Sequence, residues 1–287
     1  MRANRCFARS LIAGATLLLL PVLSFGAEPA GMVTDLQGVA LRGGGGKLAI
    51  LAELGAGAQL ELEGSARVTV AHFASGRQFD LDGPGVFRLT AAGVESAGGG
   101  RVTARAPLAA AYRDVRLRPA RVAQASISMR GNTGDAAVQL VSPVGTWLLE
   151  RRPSFRWKTV AGVVSYRFEL TDNTGRVLYE TSTGEASVAL PESVVLQSGQ
   201  TYAWQVDARL PDGRVADGWT EFGIAGTDRR ERVDSARPGK DASFGERVLF
   251  ALLLDDAGLR EAASTVWDGL ARERPADLRL RTLGGSR

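Results

Sequence analysis

One cysteine and one histidine are all that 287 residues contain. The cysteine, Cys6, lies within the first ten residues, in a stretch that reads as leader rather than domain. Downstream of it the chain has no thiol, which excludes disulfides, thiolate metal sites and cysteine nucleophiles together. A single histidine, His72, excludes zinc sites built on two or three imidazoles. No G-x-S-x-G elbow is present, so a hydrolase of the α/β type is excluded as well. Stability has to come from packing alone, and no cofactor is expected.

Long apolar runs are also scarce. The longest, Leu11 to Leu23, follows the basic residues Arg2, Arg5 and Arg9, is broken by Pro21, and ends at the small residues Ser24 to Ala27. This is the pattern of a secretory signal peptide over residues 1–27, too short for the ~20 apolar residues of a spanning helix. The expectation is export to the periplasm or beyond, with no spanning membrane segment after cleavage. The formal charge of +4 then loses three arginines, so the basicity of the whole chain belongs largely to its leader.

Glycine, by contrast, is abundant at 35 residues, as expected where many short strands need many turns. The sequence RVTVAHFASGRQFDLDGPGVFRL, residues 67–89, alternates with period two: Val68, Val70 and His72 on one side, Arg67, Thr69, Ala71 and Phe73 on the other. Small residues at 74–76 and Gly83-Pro84-Gly85 punctuate it, which predicts an antiparallel meander of three strands. Further strands are expected over 32–36, 39–41, 48–51 and 59–62, and beyond Gly93 through 101–104. The run Gly43 to Gly46 has no Lys-Ser or Lys-Thr pair after it and reads as a hairpin tip, not a phosphate loop. In wording, residues 28–108 resemble the FecR-type domain of bacterial envelope proteins, whose signature combines x-x-F-x-x-G spacing with L-x-G-P before a short strand. The resemblance implies a small β sandwich or roll working in the periplasm. It also implies a role in signalling from outer-membrane transporters, but that role needs a cytoplasmic segment and a spanning helix, in place of which a cleavable leader is expected here.

Residues 109–138 form an arginine-rich linker or edge strands. Seven arginines stand between positions 101 and 134 against one acid, Asp114. Arg113, Arg116, Arg118 and Arg121 could face an anionic envelope polymer or an acidic protein, or could line an edge strand that charge protects from pairing. Nucleic acid is not expected as a partner, because Tyr112 is the only interleaved aromatic.

From 139 to 226 the strands carry aromatics at alternate positions: Phe155 and Trp157, then Tyr166, Phe168 and Leu170, then Tyr202, Trp204 and Val206. Asp172 to Gly175 predicts a hairpin turn, and Tyr202 after Gly199 predicts a tyrosine corner. This unit resembles a bacterial fibronectin type III-like domain, which implies a β-sandwich. The expected fold class is mainly β: two antiparallel β domains followed by a short C-terminal α-hairpin. Residues 227–241 read as a charged, solvated connector or frayed helix. Residues 242–287 read as two helices, the first with Phe244, Val248 and Leu252 in a stripe and Gly258 as its stop. Ala251, Leu254, Gly258, Ala263, Trp267, Leu270 and Pro275 resemble one tetratricopeptide hairpin. One such repeat cannot bury its own faces. It is therefore expected to dock on the second β domain or on another chain, and to be the protein-binding element.

For catalysis the candidates are few. Asp80 and Asp82 share a strand face and, with Glu61, could serve a cell-wall glycan-acting enzyme; the alternative is a plain acidic strand face. The reading taken forward is a non-enzymatic exported envelope protein that binds or scaffolds, with an envelope protein or anionic envelope polymer as partner. Its alternatives are a FecR-like component of transport signalling, and a glycan-acting or glycan-binding protein. Trp147, Trp219 and Trp267 join the four arginines as the candidate partner surface.

Overall fold

The computed structural model describes residues 29–112 and 137–284. Residues 1–28, which include the expected signal peptide, and Arg113, Arg116, Arg118 and Arg121 lie outside the described residues. Among those described, the chain builds two antiparallel β units and a layer of four helices between them.

The first unit is a curled sheet with strand order β3-β2-β5-β7-β6-β1-β4, and β8 added along β7. β1 is Gly31–Gln37, β2 Ala40–Arg42, β3 Gly46–Lys47, β4 Glu53–Leu54 and β5 Gln59–Leu62. β6 is Arg67–His72, β7 Arg77–Leu89 and β8 Val94–Pro107. The Gly43 to Gly46 run is indeed the β2–β3 tip, where Gly44 and Gly45 take positive φ and a Cβ would meet only open space. Gly83-Pro84-Gly85, by contrast, does not end a strand. β7 runs straight through it, pairing with β6 at residues 77–82 and with β5 at 85–88, while β8 follows it along its length. A register shift between Asp82 and Gly85 bends the long hairpin and curls the sheet. Glycine is required at this bend: a Cβ on Gly85 would lie 2.7 Å from the Gly99 backbone, and one on Gly100 2.5 Å from the Phe87 ring. The concave side encloses Val33, Leu60, Val68, Val70, Leu81 and Phe87.

The second unit is a sandwich. Its strands are β9 (Leu140–Ser142), β10 (Trp147–Leu148), β11 (Ser154–Trp157), β12 (Ser165–Asp172), β13 (Val177–Thr183), β14 (Ser187–Ala189), β15 (Thr201–Arg209) and β16 (Val215–Ile224). A five-stranded sheet ordered β10-β16-β15-β12-β13 faces a three-stranded sheet ordered β14-β11-β9. This is the β-sandwich that the fibronectin III-like resemblance implied. Phe155, Trp157, Tyr166, Phe168 and Trp204 meet in its core with ring centroids 4.8–6.4 Å apart. The tyrosine corner is present: the Gln197 N–H donates to the Tyr202 hydroxyl at 2.7 Å.

The helices are α1 (Thr227–Ser235), α2 (Phe244–Asp256), α3 (Arg260–Glu273) and α4 (Leu278–Gly284). The expected solvated connector is therefore largely helical. Val233 of α1 is buried, and Arg232 pairs with Asp256 at 2.9 Å. α2 starts at a reciprocal capping box between Ser243 and Glu246. Its residues Val248 to Leu254 are all buried, because it lies in the middle of the molecule. One side of α2 packs on the convex side of the first sheet, against Met32 and Ala71, with Ile50, Leu51 and Tyr112 alongside. Another side packs on α3 through Ala263, Trp267 and Leu270. The hairpin was expected on the second β domain or on another chain; its main seat is the first β unit. The reason lies in β1 and β6, where Met32 and Ala71 are wholly buried and belong to the cluster built around α2.

Candidate functional site

Of the side chains considered for bond chemistry, His72, Asp80 and Asp82 are engaged in structure, whereas Glu61 is exposed on β5. His72 is buried at the end of β6. Its Nδ1 accepts from the Ser75 backbone N–H at 3.2 Å, so Nε2 carries the proton and donates to the Thr90 carbonyl at 2.9 Å. Burial pushes the imidazole below its ordinary value, against the opposing effect of the Thr90 hydrogen bond. Asp80 accepts from the Thr69 hydroxyl at 2.8 Å and pairs with Arg105 at 2.7 Å; Asp82 pairs with Arg67 at 3.1 Å. Both carboxylates thus belong to cross-strand pairs on β6, β7 and β8. Among the described residues, no group of three His, Cys, Asp or Glu side chains is placed to hold a metal ion.

Of the three tryptophans expected at a partner surface, two are covered. Trp267 is 1 % exposed, and its indole N–H donates to Asp255 at 2.8 Å inside the helical layer. Burial raises the Asp255 carboxyl above its ordinary value, the Trp267 bond opposing. Trp267 was expected at a partner surface; the ring instead fills the α2–α3 contact, because a lone helical hairpin has no neighbouring repeat to receive it.

Trp147 is half-buried at the joint between helices and sandwich. Its ring lies on the backbone of Gly223 in β16, where a Cβ would come within 2.4 Å of it, and beside Gly258 at the α2–α3 turn. Arg229 of α1 covers the ring with its guanidinium 3.9 Å from the centroid. Backbone bonds complete the joint: Trp147 N–H donates to the Gly258 carbonyl at 2.9 Å, and Arg260 N–H to the Thr146 hydroxyl at 3.0 Å. Ser142 donates to Glu261 at 3.0 Å, and Arg260 to the Gly145 carbonyl at 2.9 Å. On the other side of the helical layer, Arg274 reaches Asp35 at 3.4 Å and Arg279 donates to the Ile50 carbonyl at 3.2 Å. The helices are thus bonded to both β units. Sequence reasoning missed Thr146, Arg229 and Arg260. Their signal is weak, since each acts only through residues tens of positions away.

Trp219 is different. It stands 41 % exposed on β16, on the outer side of the five-stranded sheet. Strand alternation puts Tyr202, Trp204 and Val206 inward, and leaves Gln205 and Asp207 of β15 and Asp217 and Glu221 of β16 outward with it. Gln205 is its direct cross-strand neighbour. At one end of the sandwich, a groove of about 420 Å³ runs between the β12–β13 turn and residues 193–202. Asp172 on its rim is held down to about 2, first by the Thr174 hydroxyl and then by backbone N–H groups of Arg176 and Thr174.

No family model matches this chain, and no curated protein does. Among solved structures, CopC from Methylosinus trichosporium OB3b shares 21% identity over 31% of this chain and 94% of its own, with a TM-score of 0.25. The fn3 domain of human collagen alpha-1(XX) shares 18% over 39% and 94%, with a TM-score of 0.25. Pectate lyase Pel3 from Pectobacterium carotovorum shares 13% over 30% and 26%, with a TM-score of 0.23. Likenesses at these scores carry no argument about activity.

Proposed function

We propose that this chain is a non-enzymatic, exported envelope protein, acting in the periplasm or outside the cell. Its two β units form a fixed scaffold and bind a partner through their outer faces. The single observation that carries this reading is the helical layer: α2 is buried against the first sheet, and the α2–α3 turn is hydrogen-bonded to the sandwich. Helices consumed in that way serve as a joint, so partner capture moves from the hairpin to the β faces. The FecR-type wording of residues 67–89 and the leader-like start support the compartment. The ion-paired state of Asp80 and Asp82 and the buried, bonded state of His72 support a binding role over catalysis.

The test is affinity capture from an envelope fraction with the tagged mature protein, in parallel with incubation on cell-wall glycan. The reading expects capture of a discrete partner and no glycan cleavage. Cleavage that disappears in Asp80→Asn or Asp82→Asn would instead establish the glycan-acting alternative.

A further inference from the structure

We propose that the outer face of the five-stranded sheet docks a cationic protein segment, with Trp219 as the platform for an arginine or lysine side chain and Asp217 and Glu221 as its counter-charges. The inference rests on the binding reading above and adds to it the surface and the partner's charge.

The face is outward and rich in carboxylates. Arg167 of β12 is already saturated: it pairs with Glu180 at 2.7 Å, Glu169 at 3.0 Å and Asp207 at 3.7 Å. Those three carboxylates are therefore partly neutralised, and Gln205 further fixes Asp207 through a 2.8 Å bond. Asp217 and Glu221 stand two residues before and after Trp219, on its side of β16, and have no ion-pair partner among the described residues. Arg209 shares this side but lies at the far end of β15, opposite Val215.

An exposed indole bracketed by two uncompensated carboxylates fits a cation. The ring face attracts positive charge through its quadrupole, and carboxylates on either side accept charge-assisted hydrogen bonds from the same group. The chain uses this chemistry internally, where Arg229 covers Trp147. An anionic polymer would meet repulsion here. A neutral sugar could use the ring but would leave both carboxylates without a counter-charge.

The experiment is calorimetric titration of the full mature chain with a synthetic peptide of alternating arginine and glycine, beside its glutamate counterpart and a neutral oligosaccharide. The arginine peptide should bind saturably and more weakly as salt rises. Trp219→Ala and the pair Asp217→Asn with Glu221→Gln should each weaken it by about tenfold or more. Trp219 and Glu221 are exposed and Asp217 is half-buried, and an unchanged circular dichroism spectrum checks that the variants fold. Three results would overturn the assignment: no binding of the arginine peptide, equal binding by the variants, or preference for the glutamate peptide or the sugar. Shielding of Trp219 from acrylamide in the free chain would overturn it too, since the face would then already be covered. Capture of an envelope protein equally well by wild type and variants would sink this surface while leaving the binding reading intact. A wild type that captures nothing would sink the binding reading, and the peptide titration would still decide the surface.

Discussion

Trp157 lies in the sandwich core with its indole N–H buried and without a hydrogen-bond partner among the described residues. A buried donor without an acceptor costs about 1–3 kcal/mol, which offsets part of what the ring contributes by packing against Phe168 and Tyr166. Trp157→Phe is therefore expected to change stability by no more than about 1 kcal/mol, against about 3–5 for Trp157→Ala. Urea unfolding of the two variants checks this, and a Phe variant as damaged as the Ala variant would contradict it. His72 supplies a pH signature. The fold holds the ring neutral, so the native state binds fewer protons than the unfolded chain, whose imidazole titrates near 6.5. The contribution is whole above that pH and declines as pH falls from 6.5 toward the lowered native value. His72→Gln should remove that part of the slope of stability between about pH 7 and 5; unfolding midpoints across this range read it directly. Sequence alternation placed His72 beside Val68 and Val70 correctly. It could not supply Thr90, the carbonyl partner just past the opposite end of β7.

At the scale of elements, α2 decides the most. Its start is legible from Ser243 and Glu246, but Phe244, Val248 and Leu252 alone suggest a one-sided stripe. The uninterrupted Val248 to Leu254 carries the further message, because a helix apolar all round is a buried one. Gly245 marks the closest approach of α2 to the first sheet: a Cβ there would lie 2.7 Å from the Thr34 hydroxyl and 2.9 Å from the Gln78 amide nitrogen. Those two side chains are themselves bonded, Gln78 to Thr34 at 3.1 Å, so they have little freedom to withdraw. Gly245→Val should cost about 1–3 kcal/mol by overpacking and raise hydrogen exchange in β1. A stability equal to wild type would show that the helix does not sit as described. In the sandwich, Tyr202→Phe leaves the Gln197 N–H without its partner and should cost about 1–3 kcal/mol, read as a shift of the denaturant midpoint. This corner was legible because Gly199, Thr201 and Tyr202 are local. The bend at Gly83 to Gly85 was not, since it depends on glycines 98–100 coming alongside across the hairpin.

The described residues form three apolar clusters: one inside the curled sheet, one inside the sandwich and one in the helical layer. The third is continuous with the convex side of the first sheet through Met32, Ile50 and Ala71. The fold class and the sandwich could be read from alternation and aromatics. The joint could not, since Trp147, Gly223, Arg229 and Gly258 are brought together only by tertiary packing. For the same reason, Trp267 was expected outside and is found within.

That the helices hold the molecule together, and are not a detachable partner-binding end, is tested by hydrogen exchange on the full chain beside a chain ended at Ala225. Loss of the helices should strip protection from β1 and β6, whose Met32 and Ala71 would face water, while β12 and β15 inside the sandwich stay protected. Unchanged protection of β1 and β6 in the shortened chain would contradict the account.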